Sequence, residues 1–297
     1  ALRGGVSLRF HRAGHILGSA TVELDLPWPE PVRLCFSGDL GRWNRPILRD
    51  PEPGGDADVL LIESTYGDRL HKGDPDGQLE HIIAEAVHDH GIIVMPAFAI
   101  GRTQELLWRL AALRRAGRIP SIPVFVDSPM ALDVTEIYSR HVEEHDLDMQ
   151  RLVREGRCPL SSRDYQLVRT PDESRALNDL TGPAIIIAGS GMATGGRVLH
   201  HLKRLLPDPR NIVMLAGFQA IGTLGRSLND GATTVRIHGA DVAVNASVEM
   251  LEGLSAHADR NELIAWLRTF RQAPRQIWVV HGEPSAAAAL AYSIRSE

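Results

Sequence analysis

The chain has 297 residues, 43% hydrophobic and 23% charged, the balance of a protein that buries a large core, as one domain or as one domain with a second inserted into it. With 32 Lys and Arg against 37 Asp and Glu, its formal net charge of −5 excludes an indiscriminate polycationic coat for nucleic acid, while leaving room for a local basic groove. The longest apolar runs, residues 184–188 and 277–280, fall far short of the ~20 residues that a membrane-spanning helix needs, so no membrane is expected among the partners.

Residues 6–10, 20–26 and 32–36 alternate apolar and polar side chains between Gly- and Pro-containing turns, the pattern of antiparallel strands, and the apolar run 59–62 reads as a buried strand. From Asp76 the period becomes helical, with Leu79, Ile82, Ile83, Ala86 and Val87 on one face, and a strand follows at 92–95. A helix at 102–116, a strand at 124–126 and a helix at 129–145 continue the alternation. Thr170, Pro171 and Glu173 have the chemistry of a helix start: a cap, a proline at the first position and an acid three residues on. A strand at 184–188, a helix at 197–206, a strand at 211–215 and a short helix at 224–228 complete this part, and such alternation implies a parallel sheet with helices on its faces. After Gly231 come strands at 234–238 and 242–250, a helix at 260–270, a strand at 276–280 and a final helix after Pro284. The order β-rich, α/β, β-rich implies a domain inserted into a discontinuous host.

No basic start leads into an apolar block and cleavage site, and Cys35 and Cys158 form neither a disulfide framework nor a metal clip, so a reducing, cytoplasmic setting is expected. The chain opens at Ala1, without a methionine, in a strand-like run, as an excerpt of a longer polypeptide would.

Five segments place ligand-type side chains at strand ends or in Gly-rich turns, where open sheets build sites: GHILGSA at 14–20 with His15, SGDLG at 37–41 with Asp39, ESTYG at 63–67 with Glu63, SAHAD at 255–259 with His257, and VHGE at 280–283 with His281. Singly, each histidine is more often a turn residue than a metal ligand. His88, His90, His141, His145, His200 and His201 fall on or beside expected helices and read as structural or solvent-facing.

Taken in order, the five segments resemble the β-CASP branch of the metallo-β-lactamase superfamily, over nearly the whole chain. The resemblance implies an α/β fold: part of a metallo-β-lactamase αββα sandwich at 1–67, an inserted parallel α/β β-CASP domain at 68–230, and the C-terminal part of the sandwich, an RNA-specificity segment, at 231–297. It implies a zinc-dependent ribonuclease in which His15 and His281 each bind one of two zinc ions and Asp39 bridges them. His257 becomes the general acid, with Glu63 holding its ring; the plainer reading of Glu63 and His257 is a buried structural pair. Histidine at position 281 resembles family members that act on RNA, where those acting on DNA tend to carry an apolar residue. RNA is the expected partner, and a homodimer is compatible with the sequence.

The family's HxHxDH segment, which precedes the GHILGSA-type turn and supplies the remaining ligands, is not found in these 297 residues. The chain by itself is therefore expected to bind zinc weakly or at one position and to be nearly inactive. A phosphate-binding role is expected for Ser190 and Gly191, in the Gly-rich turn 189–197 that opens a helix, and for Arg197 and Arg102. Two other functions stay open: a non-catalytic RNA-binding or scaffold subunit, and another hydrolase of the same fold acting on a small ester or lactam.

Overall fold

The structure is a computed structural model that describes residues 3–27, 29–161 and 164–296. In chain order it forms β1 (Ser7–Arg12), β2 (Ala20–Leu26), β3 (Val32–Phe36), β4 (Val59–Glu63), α1 (Pro75–His88), β5 (Ile92–Pro96), α2 (Arg102–Arg115), β6 (Val124–Asp127), α3 (Pro129–Arg140) and α4 (Leu147–Arg154). It continues with β7 (Gln166–Leu167), α5 (Pro171–Ala176), β8 (Ala184–Ala188), α6 (Val198–Leu205), β9 (Ile212–Ala216), α7 (Leu224–Asn229), β10 (Thr234–Ile237), β11 (Ala240–Ala243), β12 (Ser247–Leu251), α8 (Arg260–Leu267), β13 (Gln276–Val280) and α9 (Pro284–Arg295). No helix among the described residues is long and apolar enough to cross a membrane.

Two compact units result. The first takes in the residues up to His71, Glu144–Leu147 and the residues from Ala256 onward. Its sheet has the order β1-β2-β3-β4-β13, antiparallel from β1 to β3 and parallel from β3 to β13. Because strand side chains alternate between faces, Cys35, Leu60 and Ile62 point to one side. There they form a core with Leu263, Ile264 and Trp266 of α8 and Leu290 of α9. On the opposite side Phe10 and Trp278 keep 66% and 60% of their surface exposed. The second unit, Lys72–Glu143 with Asp148–Ser255, holds a six-stranded sheet in the order β12-β9-β5-β8-β6-β7, whose described pairings are all parallel. Its strands β5, β8 and β9 are buried along their whole length, as a parallel sheet requires and as their unbroken apolar runs foretold.

Helix starts follow local chemistry. Asp74 and Ser128 cap α1 and α3, each with a proline in the first turn, and Thr170 with Glu173 closes the capping box expected from sequence. Asp259 and Glu262 form a second box at α8.

Three expectations are corrected. The helix expected over 129–145 ends at Arg140, because residues beyond it bond to a loop of the first unit: Arg49 N–H donates to Glu144 O, and Asp146 N–H donates to Ile47 O. His145, expected on that helix, is off it and bridges to Leu48; at 1% exposed it is structural, one of the two readings it was given. The single strand expected over 242–250 is two, since Asn245 and Ala246 both donate to Leu206 O, ending β11 before β12 joins β9. By contacts, residues 231–255 group with the second unit.

Candidate active site

The first unit gathers all five motif residues at the ends of its sheet. The turn after β1 is closed by Ser19, whose Oγ accepts from the amides of His15 and Ile16 while its carbonyl accepts from Ala13. The turn after β3 lies directly against it: Gly41 N–H donates to Ala13 O at 2.7 Å, and a Cβ on Gly41 would overlap the Gly14 carbonyl. Glycine at 41 is thus what lets the backbones bearing His15 and Asp39 approach. Gly38, at φ 57°, makes the bend, and Thr21 Oγ1 donates to Ser37 O beneath it.

Strand β4 ties these turns to the other motifs. Glu63 is 1% exposed; its Oε1 accepts from Leu40 N–H at 2.7 Å and its amide donates to Ser37 Oγ. Register places Val280 beside Glu63, so the residues that follow both strands are neighbours. Ser64 Oγ donates to Val280 O, and Thr65 Oγ1 donates to His281 O. His281 adopts φ 54°, a left-handed conformation uncommon outside glycine, and Gly282 passes so close to Ser64 that a Cβ would strike its hydroxyl. Strained backbone held by surrounding bonds is common where a side chain is aimed for function.

The side chains converge. His257 Nδ1–H donates to both carboxylate oxygens of Glu63, at 3.0 and 3.1 Å, which leaves Nε2 as its outward atom. The His15 and His257 rings lie 4.2 Å apart, centroid to centroid, and those of His257 and His281 5.9 Å. Ligand atoms of His15, Asp39 and His257, and separately of Glu63, His257 and His281, come within 4.8 Å of one another. Asp39 sits between the two outer histidines: Oδ2 is 4.0 Å from His15 Nε2 and Oδ1 is 3.3 Å from His281 Nδ1.

Burial, reinforced by the neighbouring His257, pushes the His15 imidazole down to about 4, so it is neutral at pH 7 and offers a lone pair. Two donors on a tetrahedral zinc lie about 3.3 Å apart, and imidazole with carboxylate is a zinc-type donor set. The 3.3 Å on the His281 side matches that spacing and the 4.0 Å on the His15 side is wider; with one carboxylate oxygen turned to each side and His15 neutral, the donor set fits zinc.

One side chain of this site was not singled out from the sequence. His71 Nε2–H donates to the His257 carbonyl at 2.9 Å, and its amide donates to Asp259 Oδ2 at 2.9 Å. Burial, then Arg42, push its imidazole down to about 4. It lies in a polar loop without periodicity, four residues after the ESTYG run, and only its proximity to that motif would have flagged it.

The residues expected to hold phosphate lie in the second unit, and each has partners within the fold. Arg197 Nη1 donates to Asp127 Oδ1 at 2.7 Å and to Val168 O, and Nη2 donates to Arg169 O, so this guanidinium is engaged in bracing the fold. Arg102 is buried against Glu105 at 2.8 Å. Ser190 Oγ accepts from the amides of Thr194 and Gly195, closing its own turn. Gly191 is held by Gln219, whose Nε2 donates to its carbonyl, and a Cβ there would press on the Phe98 ring.

Comparison with known proteins finds two matching families and several relatives. Residues 103–228 match the Beta-Casp domain, and residues 241–297 match the family described as the Zn-dependent metallo-hydrolase RNA specificity domain. The chain is 38% identical over 289 residues to ribonuclease TTHA0252 of Thermus thermophilus, covering 97% of this chain and 65% of that protein. It is 32% identical over 283 residues to an RNase J-like protein of Methanocaldococcus jannaschii, covering 94% of this chain and 64% of that protein. To transcription termination factor FttA of Methanosarcina mazei it is 30% identical over 301 residues, covering 97% of this chain and 47% of that factor. The chain thus spans between about half and two-thirds of the length of these relatives.

Proposed function

Because the chain belongs to the β-CASP family of the metallo-β-lactamase fold, and its first unit brings five polar motif residues to one place, we propose that it is part of a zinc-dependent ribonuclease. The observation that carries this reading is the position of Asp39, one oxygen turned to His15 and the other to His281. His15 and His281 would each hold one zinc ion, with Asp39 shared between the two. Bound zinc would supply a water acidified toward neutrality and positive charge to offset the negative charge building on the phosphate.

The remaining steps fall to this chain's own groups. Glu63 fixes the Nδ1–H tautomer and the orientation of the His257 ring. His257 Nε2 then delivers a proton to the departing ribose oxygen, a contribution of about 10²–10⁴-fold. The Glu63 bond occupies Nδ1, so Nε2 is the atom on which proton donation and metal binding would compete.

RNA is the proposed substrate, in keeping with the relative named a ribonuclease and with the match to an RNA specificity domain. Ser190, Gly191 and Arg102 are proposed backbone-phosphate contacts; Arg197 is instead proposed to brace the turn that carries the first two, given its bonds to Asp127 and Arg169. The α/β unit is proposed as the inserted RNA-holding domain, bounded near Lys72 and Ser255, and a cytoplasmic location as the natural setting. The similarity to a protein named transcription termination factor FttA supports a second reading of purpose, a part in transcription termination, without altering the chemistry.

The test is cleavage of labelled single-stranded RNA by the full natural polypeptide and its His257→Ala variant, with zinc measured on both. The expected outcome is retained zinc and a rate lower by about 10²-fold or more. A variant that cleaved at the parental rate would remove His257 from the chemistry.

A further inference from the structure

Two side chains help to hold His257, beside the main-chain bond from Ala258 N–H to Leu40 O at 2.8 Å. Glu63 grips its ring at Nδ1 and fixes the rotation of the imidazole. The second grip is on the main chain that carries the ring: His71 Nε2–H donates to the His257 carbonyl, and the His71 amide donates to Asp259 Oδ2, so residue 71 clamps both ends of the segment 257–259. Asp259 is itself fixed as the cap of α8, bonded to the Glu262 amide, and Tyr66 pairs with Asp259 through a parallel bridge. The Tyr66 ring lies 4.6 Å from His71, centroid to centroid, and so limits where the His71 ring can go.

We infer that His71 is a positioning residue for the proton donor, its Nε2–H fixing the backbone from which the His257 side chain extends. The inference rests on the reading of His257 as general acid. The Glu63 bond fixes the ring but not the Cα from which it extends; the 257–258 peptide is held through its N–H by Leu40 O and through its carbonyl by His71, and loss of the His71 bond would let that peptide tilt. Proton transfer is sensitive to such placement, and a displacement of ~1 Å can cost 10²-fold. Nothing in this role touches substrate or metal, so loss of the bond should act on kcat and spare both KM and zinc.

The experiment uses the zinc-loaded full natural polypeptide, labelled single-stranded RNA, and four variants: His71→Leu, His71→Gln, His71→Asn and His257→Ala. Glutamine places its amide nitrogen close to the position of an imidazole Nε2, whereas asparagine reaches only as far as Nδ1. The expected result is a kcat reduced about 10–100-fold in His71→Leu and His71→Asn, with KM and zinc content unchanged, and recovery to within a few-fold in His71→Gln. Nitrogen NMR of the His257 ring should show one sharp environment in the parent and in His71→Gln, and exchange-broadened signals in His71→Leu. Should His71→Leu fail to fold, the contrast between glutamine and asparagine carries the same test. Parental kcat in His71→Leu or His71→Asn, equal losses in the glutamine and asparagine variants, or a fall in zinc content would each overturn the inference. If His257→Ala itself cleaves normally, the general-acid reading fails and takes this inference with it; if only the His71 variants are normal, the inference alone fails.

Discussion

Glu63 serves more donors than any other acid at the site. Oε1 accepts from Leu40 N–H and Oε2 from Thr65 N–H, while His257 Nδ1–H is shared between the two oxygens. A glutamine in its place would have to turn an amide NH₂ toward one of these donors, leaving two buried donors facing each other. Glu63→Gln is therefore expected to lower RNA cleavage by about 10²-fold while zinc content holds, because the ring it orients would lose its fixed tautomer. Equal turnover by parent and variant in single-turnover kinetics would show that the pair is only structural. The sequence marked Glu63 and its four companions because each ends a strand or sits in a Gly-rich turn with distinctive neighbours. It did not mark His71, whose partner is a carbonyl 186 residues away, since main-chain acceptors leave no trace in side-chain patterns.

At the scale of elements, the sheets were largely legible because their periods are pure: unbroken apolar runs for β5, β8 and β9, alternation for β1 to β3. What pattern did not reveal came from distant partners. Main-chain bonds to residues 47 and 49 cut the expected helix short at Arg140, and α4 after it was not anticipated. Arg197 looked like a cation in a phosphate-type turn because Asp127, 70 residues before it, gave no hint of sitting underneath.

That aspartate is fully buried at the end of β6 and accepts from Arg197 at 2.7 Å, His201 at 2.6 Å and Ser174 at 2.6 Å. Burial alone would push its carboxyl up, but the hydrogen bonds from His201, Ser174 and Arg197 outweigh that and hold it below its ordinary value of 3.8. A depressed folded-state pKa means the network's contribution is present above pH 3.8 and drains away as pH falls through the lower folded value. Asp127→Ala should thus cost about 3–5 kcal/mol at pH 7, by leaving buried donors unpaired. In urea unfolding, the gap between parent and variant should narrow below pH 3.8; a gap that widened there would reverse the sign of the argument.

A second element-scale test concerns the two glycine-bearing turns. Gly41→Ala would force the SGDLG turn away from the Gly14 carbonyl and so separate Asp39 from His15. Zinc affinity, read by competition with a chromogenic chelator, should fall about tenfold or more, each tenfold being 1.4 kcal/mol. Unchanged affinity would mean that the close packing of these turns does not set the metal geometry.

For the whole molecule, the described residues supply two three-donor clusters that share His257. With Nδ1 of that histidine given to Glu63, neither cluster by itself meets the four donors of a closed zinc site. The 297-residue chain alone is therefore expected to take up fewer than two equivalents of zinc and to cleave RNA slowly, as titration calorimetry and a parallel cleavage assay would show. The apolar sheet face bearing Phe10 and Trp278 is consistent with one half of a sandwich, whose inner face a second layer covers. The measurement that tests the central claim most directly is made on the full natural polypeptide: zinc per chain, together with hydrolysis of single-stranded RNA and of a generic ester. About two zinc ions are expected, as a two-metal phosphodiester mechanism requires, with cleavage of RNA but not of the ester. A protein that holds zinc yet leaves RNA intact while hydrolysing the ester, or one that holds no zinc at all, would contradict it.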